Sequence, residues 1–448
     1  MILQLIVAVA IGKSLNQGEY GFYAAAMIFV NLGLVLRDFG LAPTIIKEAK
    51  ITSKKLNSAL LFVLIFSFAI TSLLLILSNY LASLVQIEAA AGFIVALAYI
   101  FPFSSISSLQ RALFERHRQF YFVAKVDVLA TAIATITAIT LLFLTKSAFA
   151  LVVQLYVYQI VASMLFIARS PWKWALGFDN SFLWNNWKFG SNNLFFALSI
   201  YVLRNADTFI VGRFLGSVEL AAFAFATRFT TIPTRNISAA IGKVVYSKLA
   251  RIRRGSEVFG RDYEEVLINI YTIFWLPVSL GIAFLPWISE SIFDDWTSIR
   301  FYFATLPIVC FAQLLTSISG PVLNSADRSD VLRSLGIFGV PILTTVNLVG
   351  VQFGQIGFIM TLLLSSVGWM FFVIWRVANI VDIDFQNLLK RLLFGFGIQV
   401  ILVYISIIDE FMPLVLSAGI SLWIAVNLGE LRKIIRFIIR MLQKKTEI

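Results

Sequence analysis

The segment VGRFLGSVELAAFAFA at residues 211–226 has a counterpart earlier in the chain, IGKSLNQGEYGFYAAA at residues 11–26. At a constant offset of 200 residues the same chemical types recur. The matched pairs are Gly12 and Gly212, Lys13 and Arg213, Leu15 and Leu215, Glu19 and Glu219, Tyr23 and Phe223, Ala24 and Ala224, and Ala26 and Ala226. The sequence therefore predicts an internal repeat, and the architecture depends on what lies between the two copies.

The composition is that of a membrane protein. Hydrophobic residues make up 59% of the 448, charged residues only 13%, and the mean hydropathy is +0.88. A soluble domain carries about a quarter charged residues. The single Cys and single His exclude a disulfide framework and a multi-histidine metal site, so we expect neither a metal nor a cofactor.

Apolar segments long enough to cross a bilayer follow one another along the chain. We predict about fourteen helical spans, each of roughly 20 residues. Barrel strands are excluded because regular alternation of polar and apolar residues is absent. The predicted spans lie near 1–11, 21–36, 57–80, 91–109, 122–144, 147–167, 191–212, 217–242, 266–288, 301–322, 335–351, 356–376, 391–408 and 412–428. The fold class is thus all-α and polytopic.

An even number of spans separates the two copies of the repeat, so both copies have the same orientation. This indicates two parallel six-helix lobes related by an axis along the membrane normal. The predicted parts are an N-lobe at 1–168, a cytoplasmic connector at 169–190, a C-lobe at 191–378, and two last spans with a basic amphipathic tail at 379–448. The first span is shorter than its counterpart, so we expect the chain to begin inside its first helix, with the true N-terminus upstream of Met1.

The net charge of +12 has an explanation in topology. Lys and Arg concentrate on alternate loops, as in 47–55 and 243–261, whereas the intervening loops are acidic, as in 290–295. By the positive-inside rule the basic loops and both termini are cytoplasmic. Attraction to anionic membrane lipids follows from the same charges. Nucleic-acid binding is not needed to explain them.

Four charged residues interrupt the apolar segments near the second copy of the repeat. A charge near the bilayer centre costs about 2.5–3.5 kcal/mol, and such residues face a partner or a cavity. Arg204 and Asp207 are three positions apart and can pair on one helix face, either as a structural ion pair or as part of a site. Arg228 and Arg235 share a face with Thr231 and have no acidic neighbour in sequence, so they favour an anion such as phosphate.

Several motifs resemble those of Wzx-type polysaccharide flippases. They are R-x-x-D-x-x-x-x-G-R-x-x-G at 204–216, LAAFAFATRF at 220–229 with Pro233 beyond it, and LRDFGLAPTIIK at 36–47. These flippases belong to the multidrug/oligosaccharidyl-lipid/polysaccharide exporter superfamily, and the chain is most similar to their exopolysaccharide, colanic-acid-like branch. Ala221 and Phe223 depart from the family pattern, where Gly and Tyr are expected.

The resemblance implies a transporter rather than an enzyme. Its substrate would be an undecaprenyl-diphosphate-linked oligosaccharide, moved across the bacterial inner membrane by alternating access for exopolysaccharide or O-antigen synthesis. Arg204, Arg228 and Arg235 would line the cavity with Thr231. Asp207 and Asp127 are the candidate coupling carboxylates. Polysaccharide polymerase machinery is a candidate partner.

Two alternatives stay open at this stage. A multidrug or ion antiporter of the same superfamily would share the fold, but a cavity for organic cations calls for acidic residues rather than arginines. A membrane polysaccharide polymerase or ligase commonly carries a long external loop, and the longest external segment here, near 289–300, is short.

Overall fold

Helices account for nearly all of the regular structure in the described part of the chain. The structure, a computed structural model, describes residues 2–48, 50–170, 172, 177–249, 257–292, 296, 298–326, 328–381, 383–408 and 423. No strand occurs among these residues. The helices are α1 (Ile2–Ser14), α2 (Gln17–Leu36), α3 (Leu41–Lys47), α4 (Ser53–Leu84), α5 (Ala90–Ala98), α6 (Ile100–Arg116), α7 (Phe120–Thr145), α8 (Phe149–Ala168), α9 (Asn180–Leu249), α10 (Glu257–Ile292), α11 (Ile299–Ser325), α12 (Ser329–Gly350), α13 (Gly354–Val381) and α14 (Phe385–Ile408).

The predicted spans agree with these helices. Each one from 1–11 to 391–408 falls on helical residues, with 91–109 divided between α5 and α6, and the all-α polytopic class is confirmed. Within the described residues nine helices are long and apolar enough to cross a membrane, or ten when α5 and α6, bent by 47° at their junction, count as one span. The last span, 412–428, and the basic tail lie outside the described residues, so the total of fourteen stays a prediction.

The surface of α4 illustrates why a membrane is the natural solvent for these helices. Leu61, Ile65, Phe68 and Ile76 are 47%, 61%, 58% and 79% exposed. A contiguous apolar face of this kind would be a liability in water, whereas lipid chains cover it at no cost. The protein is therefore a multi-pass membrane protein.

The chain divides into two compact units, Met1–Ala224 and Phe225–Ile448. In the first unit α7 packs on α8, α4 on α5 and α6, and α6 on α8. In the second unit α10 packs on α11, α11 and α12 both pack on α13, and α14 joins α10. The second unit's core includes Trp275, whose ring stacks 4.5 Å from that of Trp423 and whose Nε1 donates to the Gly395 carbonyl at 3.1 Å.

The repeat inferred from the sequence recurs as a repeated break in the helices. Asn16 separates α1 from α2 with extended backbone angles, and its side chain caps α2 by accepting from Gly18 N at 2.8 Å. Gly216 interrupts α9 with φ 86° and ψ −175°. The two breaks are 200 residues apart, the offset of the repeat. Each copy is thus a helix, a short break and a second helix.

The two copies also touch each other within the first unit. A Cβ built on Gly21 would stand 2.0 Å from the Ser217 carbonyl oxygen, so the backbones are in close contact. Nearby, the Gln17 side chain donates to the Val218 carbonyl at 2.9 Å. At the offset of 200, Ser217 corresponds to Gln17. Position 17 of each copy therefore lies against the other copy.

Glu19, the acidic residue of the first copy, holds the neighbouring turn. Its Oε1 accepts from Ser147 Oγ at 2.6 Å and from Ala148 N at 3.1 Å. These bonds tie the start of α2 to the connection between α7 and α8. In this copy of the repeat, the acidic residue Glu19 therefore has a structural role, because it holds the α7–α8 connection against α2.

Candidate functional site

Arg204 and Asp207 lie on α9 before the Gly216 break, in the first unit. Arg204 is exposed and Asp207 is half-buried. They are one turn apart, and neither is without a partner. The helix continues unbroken through both residues, so these charges cause no local distortion of α9.

Arg228 lies on the part of α9 that follows Gly216, in the second unit. Its side chain is half-buried, and within the described residues it has no ion-pair partner. Two residues further along, the Thr230 hydroxyl donates to the Ala226 carbonyl at 3.0 Å. The backbone of Thr231 and Arg235 continues the helix, but their side chains lie outside the described residues, so the predicted three-residue face is described only at Arg228.

Asp127, the other candidate coupling carboxylate, is held by three contacts from two side chains in the first unit. Arg111 binds it through two contacts, Nη1 to Oδ1 at 3.2 Å and Nη2 to Oδ2 at 3.0 Å. Tyr158 donates its hydroxyl to Oδ1 at 3.0 Å. Arg111 also donates through Nε to Glu115 at 2.9 Å. Helices α6, α7 and α8 are thereby joined by charge-assisted hydrogen bonds.

A second pair of charges extends this network to the end of α2. Ser108 on α6 donates to Asp38 Oδ2 at 3.0 Å, and Gly40 N donates to Oδ1 at 3.2 Å. Arg37 interacts electrostatically with Asp38 and Tyr158, yet its Nε atom is buried and makes no hydrogen bond among the described residues. We call Arg37, Asp38, Arg111, Asp127 and Tyr158 the first-unit charge cluster.

The sequence reasoning missed this cluster. It named Asp127 as a candidate coupling carboxylate but did not connect it with Arg37, Asp38, Arg111 or Tyr158. The signals were present in the adjacent Arg37 and Asp38 of the LRDFG motif and in the i, i+4 spacing of Arg111 and Glu115. What the sequence did not reveal is that α2, α6, α7 and α8 bring these residues together.

The described part of the chain shows no candidate metal site. No group of three or more His, Cys, Asp or Glu residues is arranged to hold a metal ion there. Cys310, the single cysteine of the sequence, is buried. His117 is exposed at the end of α6.

A family model described as "Polysaccharide biosynthesis protein" matches residues 14–293, more than half of the chain. The chain belongs to this family. The assignment confirms the resemblance to Wzx-type proteins of polysaccharide biosynthesis.

Two curated relatives extend the similarity along most of the chain. The teichuronic acid biosynthesis protein TuaB of Bacillus subtilis is 20% identical over 96% of this chain and 90% of its own length. The lipopolysaccharide biosynthesis protein WzxC of Escherichia coli is 20% identical over 82% of this chain and 75% of its own. Both names refer to the synthesis of surface polysaccharides.

A solved structure shares the fold. The lipid II flippase MurJ in an inward closed conformation superposes with a TM-score of 0.71, covering 97% of both chains at 14% sequence identity. At this identity the likeness shows the fold alone. The protein is therefore a multi-pass membrane protein of the polysaccharide biosynthesis family, and it has the fold of that flippase.

Proposed function

We propose that the protein flips an undecaprenyl-diphosphate-linked oligosaccharide repeat unit from the cytoplasmic to the periplasmic leaflet, for surface polysaccharide synthesis. The observation that carries this proposal is the family match over 14–293, in a chain whose fold is that of a lipid-linked substrate flippase. Two curated relatives named for teichuronic acid and lipopolysaccharide synthesis support the same class of substrate.

The proposed mechanism is alternating access. A chain of two parallel repeats can present a binding site first to one side of the membrane and then to the other. The recurring breaks at Asn16 and Gly216 support a repeat of this kind. A sugar headgroup would pass through the protein while the lipid tail stays in the bilayer.

Arg204, Arg228 and Arg235, with Thr231, are the proposed ligands of the diphosphate or of acidic sugars. Guanidinium groups bind phosphate through two parallel N–H donors. Arg228 supports this role because its half-buried side chain lacks an ion-pair partner among the described residues. Asp207 would orient Arg204 or carry a coupling proton.

Asp127 is a weaker candidate for coupling than its position in the sequence suggested. Three donors on Arg111 and Tyr158 satisfy its carboxylate, so protonating it would weaken these charge-assisted hydrogen bonds. We retain it as a proposed coupling group whose protonation would loosen the first-unit charge cluster.

The surroundings proposed for the protein are the bacterial inner membrane, with both termini in the cytoplasm, anionic lipids at the basic loops, and polysaccharide polymerase machinery as a partner. The basis for the orientation is the distribution of Lys and Arg among the loops.

The decisive experiment measures transport of a lipid-linked oligosaccharide by the purified full chain in proteoliposomes. A fluorescent substrate in the outer leaflet becomes inaccessible to a membrane-impermeant reagent only if it is flipped. We expect protein-dependent protection of the substrate, and none for a bilayer phospholipid labelled in the same way. Efflux of an organic cation without movement of the oligosaccharide would instead assign the multidrug antiporter function.

A further inference from the structure

Five aromatic rings form a cluster on the first unit where α2 ends and α9 begins. Phe39 is at its centre, with ring centroids 4.6 Å from Trp187, 5.7 Å from Phe62 and 5.4 Å from Phe66. Trp184 follows, 6.2 Å from Trp187. Trp184 is 77% exposed and Trp187 is 46% exposed. The cluster therefore presents two indole rings to the surroundings of the protein.

Lysines border the cluster on one side only. The Lys47 ammonium stands 4.1 Å from the centroid of the Phe189 ring, and Lys188, one turn after Trp184, is exposed on the same helix face. Among the described residues neither lysine forms an ion pair. The nearby carboxylate of Glu48 is occupied by Lys55 at 2.5 Å. The border thus carries uncompensated positive charge.

The backbone fixes this arrangement. Phe39 and Gly40 both adopt positive φ, 48° and 72°, which turns the chain sharply between α2 and α3. A Cβ on Gly40 would lie 2.4 Å from the Gly190 carbonyl oxygen, so the backbone at Gly40 is in close contact with the backbone of α9. Because an L side chain is strained at such angles, the surrounding contacts must hold Phe39 in place. The backbone contacts therefore fix the position of the ring at the centre of the cluster.

The depth of the rings can be read along α4, which begins at Ser53. Phe62 and Phe66 follow Lys55 by seven and eleven residues, which is about 10 and 16 Å along a helix axis. Lysines at the start of an apolar span mark the headgroup level. The surface therefore has a basic edge at headgroup depth and an aromatic stripe that descends into the hydrocarbon. The exposed side chains of Leu61 and Ile65 on the same helix continue it as a lipid-facing surface.

We call Phe39, Lys47, Trp184, Trp187 and Lys188 the aromatic–basic patch. We propose that the patch binds one anionic phospholipid, with its phosphate at Lys47 and Lys188 and an acyl chain that runs from Trp187 along Phe62 and Phe66. A phospholipid fits because it joins an anionic head to an apolar chain of matching depth. An acidic protein segment would satisfy the lysines but could not follow the stripe into the hydrocarbon. This inference does not depend on the transport function.

The test uses the ten tryptophans of the full chain as reporters in phosphatidylcholine vesicles that contain a minor fraction of phosphatidylglycerol. Bromine atoms on acyl chains quench indole fluorescence at contact. The bromine label is placed either on the phosphatidylglycerol or on an equal amount of the phosphatidylcholine. A Trp184→Phe, Trp187→Phe variant identifies the part of the signal that comes from the patch.

We expect the patch signal to be quenched more by brominated phosphatidylglycerol than by brominated phosphatidylcholine. A juxtamembrane lysine contributes about 1 kcal/mol to the binding of anionic lipid, which is about fivefold in affinity. Lys47→Gln with Lys188→Gln should therefore remove most of the preference, and added salt should weaken it in the wild type.

The matched control is Arg118→Gln with Lys125→Gln, which removes the same charge from two exposed residues outside the patch. It should leave the preference unchanged. Equal quenching by both lipids, or an equal loss in this control, overturns the proposal. If undecaprenyl phosphate at the same mole fraction displaces the phosphatidylglycerol, the patch binds the lipid-linked substrate and the phospholipid assignment is wrong.

Discussion

Replacing Gly21 by alanine tests the contact between the two copies of the repeat. The added Cβ would lie 2.0 Å from the Ser217 carbonyl oxygen, whereas real Cβ atoms essentially never come within 3.0 Å of a neighbour. The two backbones would have to separate by about 1 Å. The opposing atom belongs to the main chain, so no rotamer change relieves the clash.

The expected cost follows from two opposing terms. Overpacking a tight contact costs about 1–3 kcal/mol. Alanine has a higher helix propensity than glycine, which stabilises a helix interior by about 1 kcal/mol. We therefore expect Gly21→Ala to destabilise the protein by up to about 2 kcal/mol. For a unit of about 220 residues this lowers the melting temperature by about 2–4 °C for each kcal/mol.

Two other glycines provide matched controls. A Cβ added to Gly92 in α5 would meet no atom within 4 Å, and one added to Gly18, in the first turn of α2, would meet only Asn16 Oδ1 at 3.4 Å. Alanine at Gly92 should raise the melting temperature because only the helix propensity changes. The assay is thermal unfolding of the purified variants in one detergent. If Gly21→Ala melts at or above the temperature of the Gly18→Ala protein, the repeat contact is not tight and the reasoning fails.

Three further predictions concern charges. In a double-mutant cycle, Arg111→Ala and Asp127→Asn should show a coupling of about 0.5–1 kcal/mol in stability because the pair is partly exposed, and additive effects would contradict the ion pair. Arg228→Ala should abolish export of surface polysaccharide at unchanged protein level, whereas Arg228→Lys should retain part of the export because it keeps the charge. Arg261→Ala is the control, since that residue is exposed. Normal export by Arg228→Ala would refute the phosphate role. A reporter fused after Lys445 should be active only in the cytoplasm, and periplasmic activity would show that the number of predicted spans is wrong by an odd number.

The sequence predicted the helices well because one requirement dominates a membrane span, an apolar segment long enough to cross the bilayer. Each span needs about 20 apolar residues, and that length is visible without knowledge of the packing. The break at Gly216 was also foreseen, as the gap between spans 191–212 and 217–242. The gap between spans 1–11 and 21–36 likewise contains the break at Asn16, which caps α2.

Departures from the sequence prediction occur where tertiary packing decides the geometry. The span at 91–109 is two helices bent by 47°. Pro102 cannot donate to the Ala98 carbonyl four residues earlier, and that carbonyl accepts instead from Thr71 Oγ1 on α4 at 2.9 Å. A short helix, Leu41–Lys47, occupies a stretch predicted to be a loop. It ends where Arg116 donates to the carbonyls of Ile45 and Ile46 at 2.8 and 3.3 Å. An arginine from a distant segment cannot be assigned to a helix C-terminus from the sequence alone.

The candidate site was harder to predict because a charge in a membrane helix has two explanations. In the first-unit charge cluster, Asp127 is neutralised by Arg111, so its desolvation is offset by a partner that the fold itself supplies. Arg228 has no ion-pair partner within the described residues, and position 28 of the other copy is an apolar Ile. The repeat fold is thus formed with or without a charge at this position. Under the proposed function this charge binds a ligand, and a measurement of stability distinguishes it from the structural ion pair. Breaking the Asp127 pair should weaken the protein, whereas removing the Arg228 charge should leave stability intact and stop transport.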